Sequence, residues 1–95
     1  MTIAVLTYKK ELSEVEKSLQ EHRIYLDKYY SSGKFIASGA QTPRIGGIIL
    51  MNITKEEAQL LIKEDPFFRN DVAEYELIEF SPTKYQVGFE QFIKR

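Results

Sequence analysis

Two residues in this chain have types and settings suited to acid–base chemistry: its single histidine, His22, and an aspartate set before a proline, Asp65-Pro66. Histidine is the side chain whose unperturbed titration falls near neutrality, so modest surroundings decide whether it carries a proton. A carboxylate beside an imidazole fixes its tautomer and stabilises the imidazolium. His22 belongs to a run, Leu12, Val15, Leu19, His22, Leu26 and Tyr29, spaced 3-4-3-4-3. That spacing keeps all of them on one side of an α-helix and turns the imidazole toward the interior. Two roles fit His22. It is a packed helix residue with its hydrogen bond satisfied, or a general acid/base or hydrogen-bond donor at the mouth of a pocket between helix and sheet. Asp65 also reads two ways, as the carboxylate that orients the imidazole or as an N-cap with Pro66 at the first helical position. These two are compatible, because the carboxylate oxygens can serve different donors. Asp27 lies five residues from His22, off its face, and is not its partner.

A second group sits where a strand should end, at Ser38-Gly39-Ala40-Gln41, with Arg44 and Gly46-Gly47 across a hairpin. Ser38 could donate to a bound ligand, and the glycines would let backbone N–H groups approach it. Arg44 either binds a carboxylate or is a solvated turn residue. The glycines match neither phosphate-loop pattern, G-x-x-x-x-G-K-S or G-x-G-x-x-G. Tyr25, Tyr29, Tyr30, Phe67 and Phe68 either wall a ligand pocket or fill core and interface.

The elements that must position these residues follow from local patterns. Residues 2–8 are β-branched, short and bounded by charge, which predicts a strand. A long helix is expected from Ser13 to Ser31, opened by the Ser13–Glu16 capping-box pattern and closed at Gly33. Residues 34–40 and 45–53 read as strands, joined closely enough to pair antiparallel. Thr54 and Glu57 form another capping box, opening a helix to about Lys63, and Asp65-Pro66 interrupts it. Residues 72–80 read as the last strand, and Tyr85, Phe89, Phe92 and Ile93 predict a short amphipathic C-terminal helix.

The order β-α-β-β-α-β is the ferredoxin-like, split βαβ arrangement: an α+β fold whose antiparallel sheet carries two helices on one face. Strand 2–8 and strand 45–53 are apolar on both faces, and two helices cover only one. The exposed face predicts a homodimer packed sheet to sheet.

At 95 residues the chain makes one domain, 1–95, with a thin core that dimerisation would help. It is 43% hydrophobic and 28% charged, and 13 basic against 14 acidic residues leave a net charge of -1. That balance offers no attraction to nucleic acid or to an anionic membrane surface. No stretch approaches a membrane span, and the N-terminal apolar run ends at Lys9-Lys10, too early for a signal peptide. Cysteine is absent, which excludes disulfides and thiolate catalysis and agrees with a reducing cytoplasm. One histidine excludes a multi-His metal centre within a chain. The site is expected to work without metal or cofactor.

Taken in order, several pieces resemble the YciI-like family, small proteins of the dimeric α+β barrel class. They are Glu21-His22-Arg23 in the first helix, the strand Gly33 to Ala40 with its small-residue end, Glu64-Asp65-Pro66-Phe67-Phe68, and the strand Val72 to Phe80. The resemblance covers nearly the whole chain. It implies a ferredoxin-like protomer dimerising through its sheet, with an active site at His22 and Asp65. Most members of the family have no assigned reaction, and one relative is linked to chloride removal from a hydroxylated aromatic ring. The stretch from Gln41 to Gly46 is shorter than the corresponding loop of many relatives.

The expectation that results is a cofactor-independent acid/base enzyme (lyase, isomerase or dehalogenase-like) acting on a small aromatic or lactone-like molecule. His22 would move the proton, Asp65 would orient it, and Ser38, Gly39, Arg44 and Phe67 would hold the substrate. The alternatives are a non-catalytic small-molecule binding or sensing dimer, and a structural subunit whose sheet face meets another protein.

Overall fold

The computed structural model describes residues 1–93. Eight elements carry the fold: β1 (Thr2–Tyr8), α1 (Leu12–Lys17), α2 (Leu19–Ser31), β2 (Phe35–Ala40), β3 (Gly46–Met51), α3 (Lys55–Leu61), α4 (Pro66–Arg69) and β4 (Ala73–Glu79). The four strands form one sheet in the order β2-β3-β1-β4. Every neighbouring pair is antiparallel. This is the ferredoxin-like α+β topology expected from the element order.

Strand alternation separates two faces. Thr2, Ala4 and Leu6 of β1, Ile49 and Met51 of β3 and Phe35 of β2 are buried beneath the helices. Val15, Tyr25, Tyr29, Ala58, Leu61 and Phe67 meet them from the helical layer. Gly46 is required where β3 crosses β1, because a Cβ there would lie 1.7 Å from the carbonyl oxygen of Leu6. On the opposite face Ile3 sits between Leu50 and Ile78, and Val5 sits between Ile48 and Glu76. On this side Ile78 and Phe80 are 45% and 41% exposed.

The helix expected over 13–31 is two helices. The chain breaks at Ser18, with φ -103° and ψ 1°. Its N–H bonds the Val15 carbonyl at 3.0 Å, and its hydroxyl accepts from the Asn70 amide at 2.9 Å. Side chain and backbone of this serine both compete with helix continuation. The Ser13–Glu16 box does not form, because Leu12 is already helical and Glu11 occupies the cap position without a side-chain bond. The buried stripe is Val15, Ser18, His22, Tyr25 and Tyr29, whereas Leu12 is 43% exposed. Leu19 and Leu26 are only half-buried.

Other predicted signals behave as their chemistry requires. Gly33 closes α2 at φ +79°. Thr54 accepts from the Glu57 N–H at 3.1 Å, although the Glu57 carboxylate pairs with Lys34 rather than returning to the cap. The expected amphipathic C-terminal helix is a four-residue 3₁₀ turn, Phe89–Phe92, with no buried residue. Gly88 precedes it at φ +101°, which prevents a longer α-helix from entering from Tyr85. Among the described residues no helix is long and apolar enough to cross a membrane.

Candidate active site

Asp65 anchors the site. It ends the 3₁₀ turn Ile62–Glu64 and caps α4, with Pro66 in the first turn. Its carboxyl is fully buried. Oδ1 accepts the Phe67 backbone N–H at 3.0 Å and faces His22 Nδ1 at 2.7 Å. Oδ2 accepts the Tyr75 hydroxyl at 2.5 Å. Tyr75 projects inward from β4, beside β1 at the register Leu6↔Tyr75. Burial, and then the negative charge and hydrogen bond of Asp65, push the Tyr75 hydroxyl far above its usual range. It therefore remains protonated and donates. Burial followed by the charge of Asp65 does the same to Tyr25, whose hydroxyl donates to the Leu61 carbonyl at 3.1 Å. The carboxyl of Asp65 is thus an acceptor for every group around it, so His22 Nδ1 carries the hydrogen in that bond.

A helix advances about 100° per residue, which places positions 19, 22, 23 and 26 of α2 on one arc and 22, 25 and 29 on the next. His22 stands at their boundary. One side of the ring belongs to the core: Phe67 stacks flat on it, with centroids 3.9 Å apart and planes 2° from parallel. Phe67 is itself supported edge-on by Tyr8 at 6.1 Å. The other side lines a cleft. No buried side-chain nitrogen or oxygen among the described residues lacks a partner. Nε2 has no hydrogen-bond partner there, so it is the ring atom that reaches solvent, on a side chain 11% exposed.

The cleft holds about 470 Å³ and runs between α2, β2, β3 and the β2–β3 connection. That is the size of a small-molecule site. Its walls are apolar at Leu6, Leu19, Leu26 and Ile49, with Tyr8 and Phe67 aromatic. Its polar groups are His22, Arg23, Arg44, Glu16 and Ser38. The Ser38 and Tyr30 hydroxyls lie 2.7 Å apart. Arg44 lies over the Tyr8 ring at 6.0 Å and reaches Glu16 at 3.8 Å.

Six of the residues singled out in the sequence meet at this place: His22 and Asp65 bond directly, and Ser38, Gly39, Arg44 and Phe67 line the cleft, whereas Phe68 packs edge-on against Tyr75 outside it. Three details differ from expectation. Phe67 is 2% exposed and acts first as a platform for the imidazole. A Cβ at Gly39 would meet nothing within 4 Å, so close backbone approach does not require glycine there. Of the three tyrosines expected there, Tyr25 and Tyr29 are core, and Tyr30 reaches the cleft's edge through Ser38. The short β2–β3 connection still delivers Arg44 to the cleft. Sequence reasoning missed Tyr75 and Arg23. Strand alternation turns Tyr75 inward, and a buried hydroxyl needs a partner. Arg23 follows His22 on the same helical arc.

A ferredoxin-like protomer with a buried imidazole–carboxyl pair opening on a small-molecule cleft is the class of protein that this fold and site define. A YCII-related domain model matches residues 1–81, and the chain belongs to that family. No curated protein matches the sequence. Among solved structures, the chain is similar to 5-chloro-2-hydroxyhydroquinone dehydrochlorinase (TftG) from Burkholderia phenoliruptrix AC1100 in complex with 2,5-dihydroxybenzoquinone. The TM-score is 0.70 at 14% identity, covering 85% of this chain and 94% of that one, a likeness of fold.

Proposed function

We propose that this protein is a cofactor-independent acid/base enzyme of the lyase, isomerase or dehalogenase type, acting on a small aromatic or lactone-like molecule. One arrangement carries the reading: Asp65 holds His22 through Nδ1, and Nε2 opens on the cleft. With the hydrogen kept on Nδ1, the neutral ring presents its lone pair at Nε2 as a general base. Once protonated there, the ring is a general acid whose charge the buried carboxyl stabilises. Nε2 takes a proton from a hydroxyl or an acidic C–H of the bound molecule. The electron pair left behind moves to an adjacent carbonyl or expels a leaving group, and the imidazolium returns the proton to product or solvent. Ser38 and the backbone at Gly39 hold a substrate oxygen, Arg44 faces its polar end, and Phe67 keeps the imidazole in plane. A fold shared with a dehydrochlorinase of a hydroxylated ring supports the choice of substrate size and type.

The working unit in this proposal is a two-fold homodimer. Its interface is the uncovered sheet face carrying Ile3, Val5, Ile48, Leu50, Ile78 and Phe80, an apolar surface that a second copy would bury.

The test is turnover across a panel of hydroxyhydroquinones, with and without chlorine, and small lactones, for wild type, His22→Ala and Asp65→Asn. General acid/base assistance contributes about 10²–10⁴-fold in rate, and both variants should lose that factor while keeping the wild-type circular dichroism spectrum. Undiminished turnover in His22→Ala, or unfolding of both variants, contradicts the proposal. Binding by wild type, with every compound recovered unchanged, favours a sensing or carrier dimer instead.

A further inference from the structure

We infer that the cleft takes a small organic anion, a planar ring bearing a carboxylate, and that Arg23 and Arg44 together select for that charge. The inference rests on the cleft beside His22 being the ligand site. Two guanidinium groups line it, against one carboxylate, Glu16. Arg23 makes no hydrogen bond or ion pair with the described residues, so its donors are free for a ligand. Arg44 is held only loosely, 3.8 Å from a Glu16 carboxylate that is 61% exposed. Exposed ion pairs of that kind contribute little, and an incoming carboxylate replaces Glu16 without leaving a buried charge unpaired. Guanidinium presents a planar fork of donors that matches a carboxylate in two parallel bonds.

The placement favours this class of ligand over a neutral ring. Both arginines sit on a lining that also carries Leu6, Leu19, Leu26, Ile49, Tyr8 and Phe67, a surface suited to a flat hydrocarbon body. A guanidinium–carboxylate bond is charge-assisted and stronger than the bonds a neutral ring offers these two groups. Arg23 and His22 are consecutive on α2, so a ligand whose carboxylate meets Arg23 brings its ring past the imidazole. A carboxylate one ring away from an acidic hydroxyl satisfies both groups at once.

The experiment uses the whole protein and three isosteric pairs: 2-, 3- and 4-hydroxybenzoate, each against its own neutral amide. Binding is followed through the amide resonances of residues 19–26 and 38–47. At least one acid should bind about tenfold or more tightly than its amide, the factor expected for a charge-assisted bond. Arg23→Gln with Arg44→Gln should weaken the acid far more than its amide and so remove that preference. Equal binding of acid and amide, an unchanged preference in the double variant, or no binding of any acid overturns the inference. None of these results alters the role proposed for His22, which stands on the turnover of its own variants.

Discussion

The molecule contains two hydrogen-bonded chains of side chains built from the same groups, a tyrosine hydroxyl, a carboxyl and a basic nitrogen, in two different settings. In one, Tyr75, Asp65 and His22 are linked around a carboxyl that is fully buried. In the other, Tyr29 donates to Glu64 at 2.6 Å and Lys28 reaches the same oxygen at 3.1 Å. The Glu64 and Lys28 side chains of that second chain are 47% and 64% exposed. Water competes for every bond in the surface chain, so it ties α2 to the Ile62–Glu64 turn and does little more. Around the fully buried Asp65 carboxyl water competes far less, and the ring nitrogen of His22 without a partner among the described residues is the one able to exchange a proton. Burial and one opening, rather than residue type, separate a candidate catalytic relay from a surface clasp.

Removing the central carboxyl should break the two chains unequally. Asp65→Ala strands three buried donors, on His22, Phe67 and Tyr75, and deletes the cap of α4. We expect a loss of about 3 kcal/mol or more in urea unfolding. A loss below about 1 kcal/mol would mean that water enters and the site is not sealed. Tyr75→Phe sharpens the contrast, because it withdraws one charge-assisted bond and leaves the imidazole held. A loss of about 1.5–3 kcal/mol is expected, with turnover falling less than in His22→Ala. Equal losses of turnover would promote Tyr75 to a direct role.

Glu64→Gln should have the smallest effect, within about 1 kcal/mol of wild type at neutral pH. Its sign with pH is fixed by the direction of its shift. The Tyr29 hydrogen bond first, and Lys28 second, hold the Glu64 carboxyl below its ordinary value of 4.5. The contribution is complete above 4.5 and disappears as pH falls through the lower folded value. Wild type and variant should therefore converge in acid. A gap that widens in acid would reverse the assignment.

The strands and the order of elements along the chain were legible because alternation in β1 and β3, Gly33 after α2 and Thr54 before α3 are each set by local chemistry. Residue chemistry offered Asp65 as one candidate partner of His22, and the resemblance joined the two across the 43 residues that separate them. What escaped depended on distant partners. The break at Ser18 is made with Asn70, 52 residues away, and nothing near Ser18 announces it. Tyr75 reads as one more strand aromatic until the Asp65 carboxyl is placed behind it. The C-terminal aromatics have helical spacing but no surface to bury against, so a 3₁₀ turn is all they form.

The most direct test uses the fact that the chain has one imidazole. Long-range nitrogen-15 correlation spectra, recorded at a pH where the ring is neutral, report which ring nitrogen carries the hydrogen. The account predicts hydrogen on Nδ1 and a bare Nε2 in wild type, with that bias lost in Asp65→Asn. A wild-type ring protonated on Nε2, or exchanging evenly between its two tautomers, would contradict it.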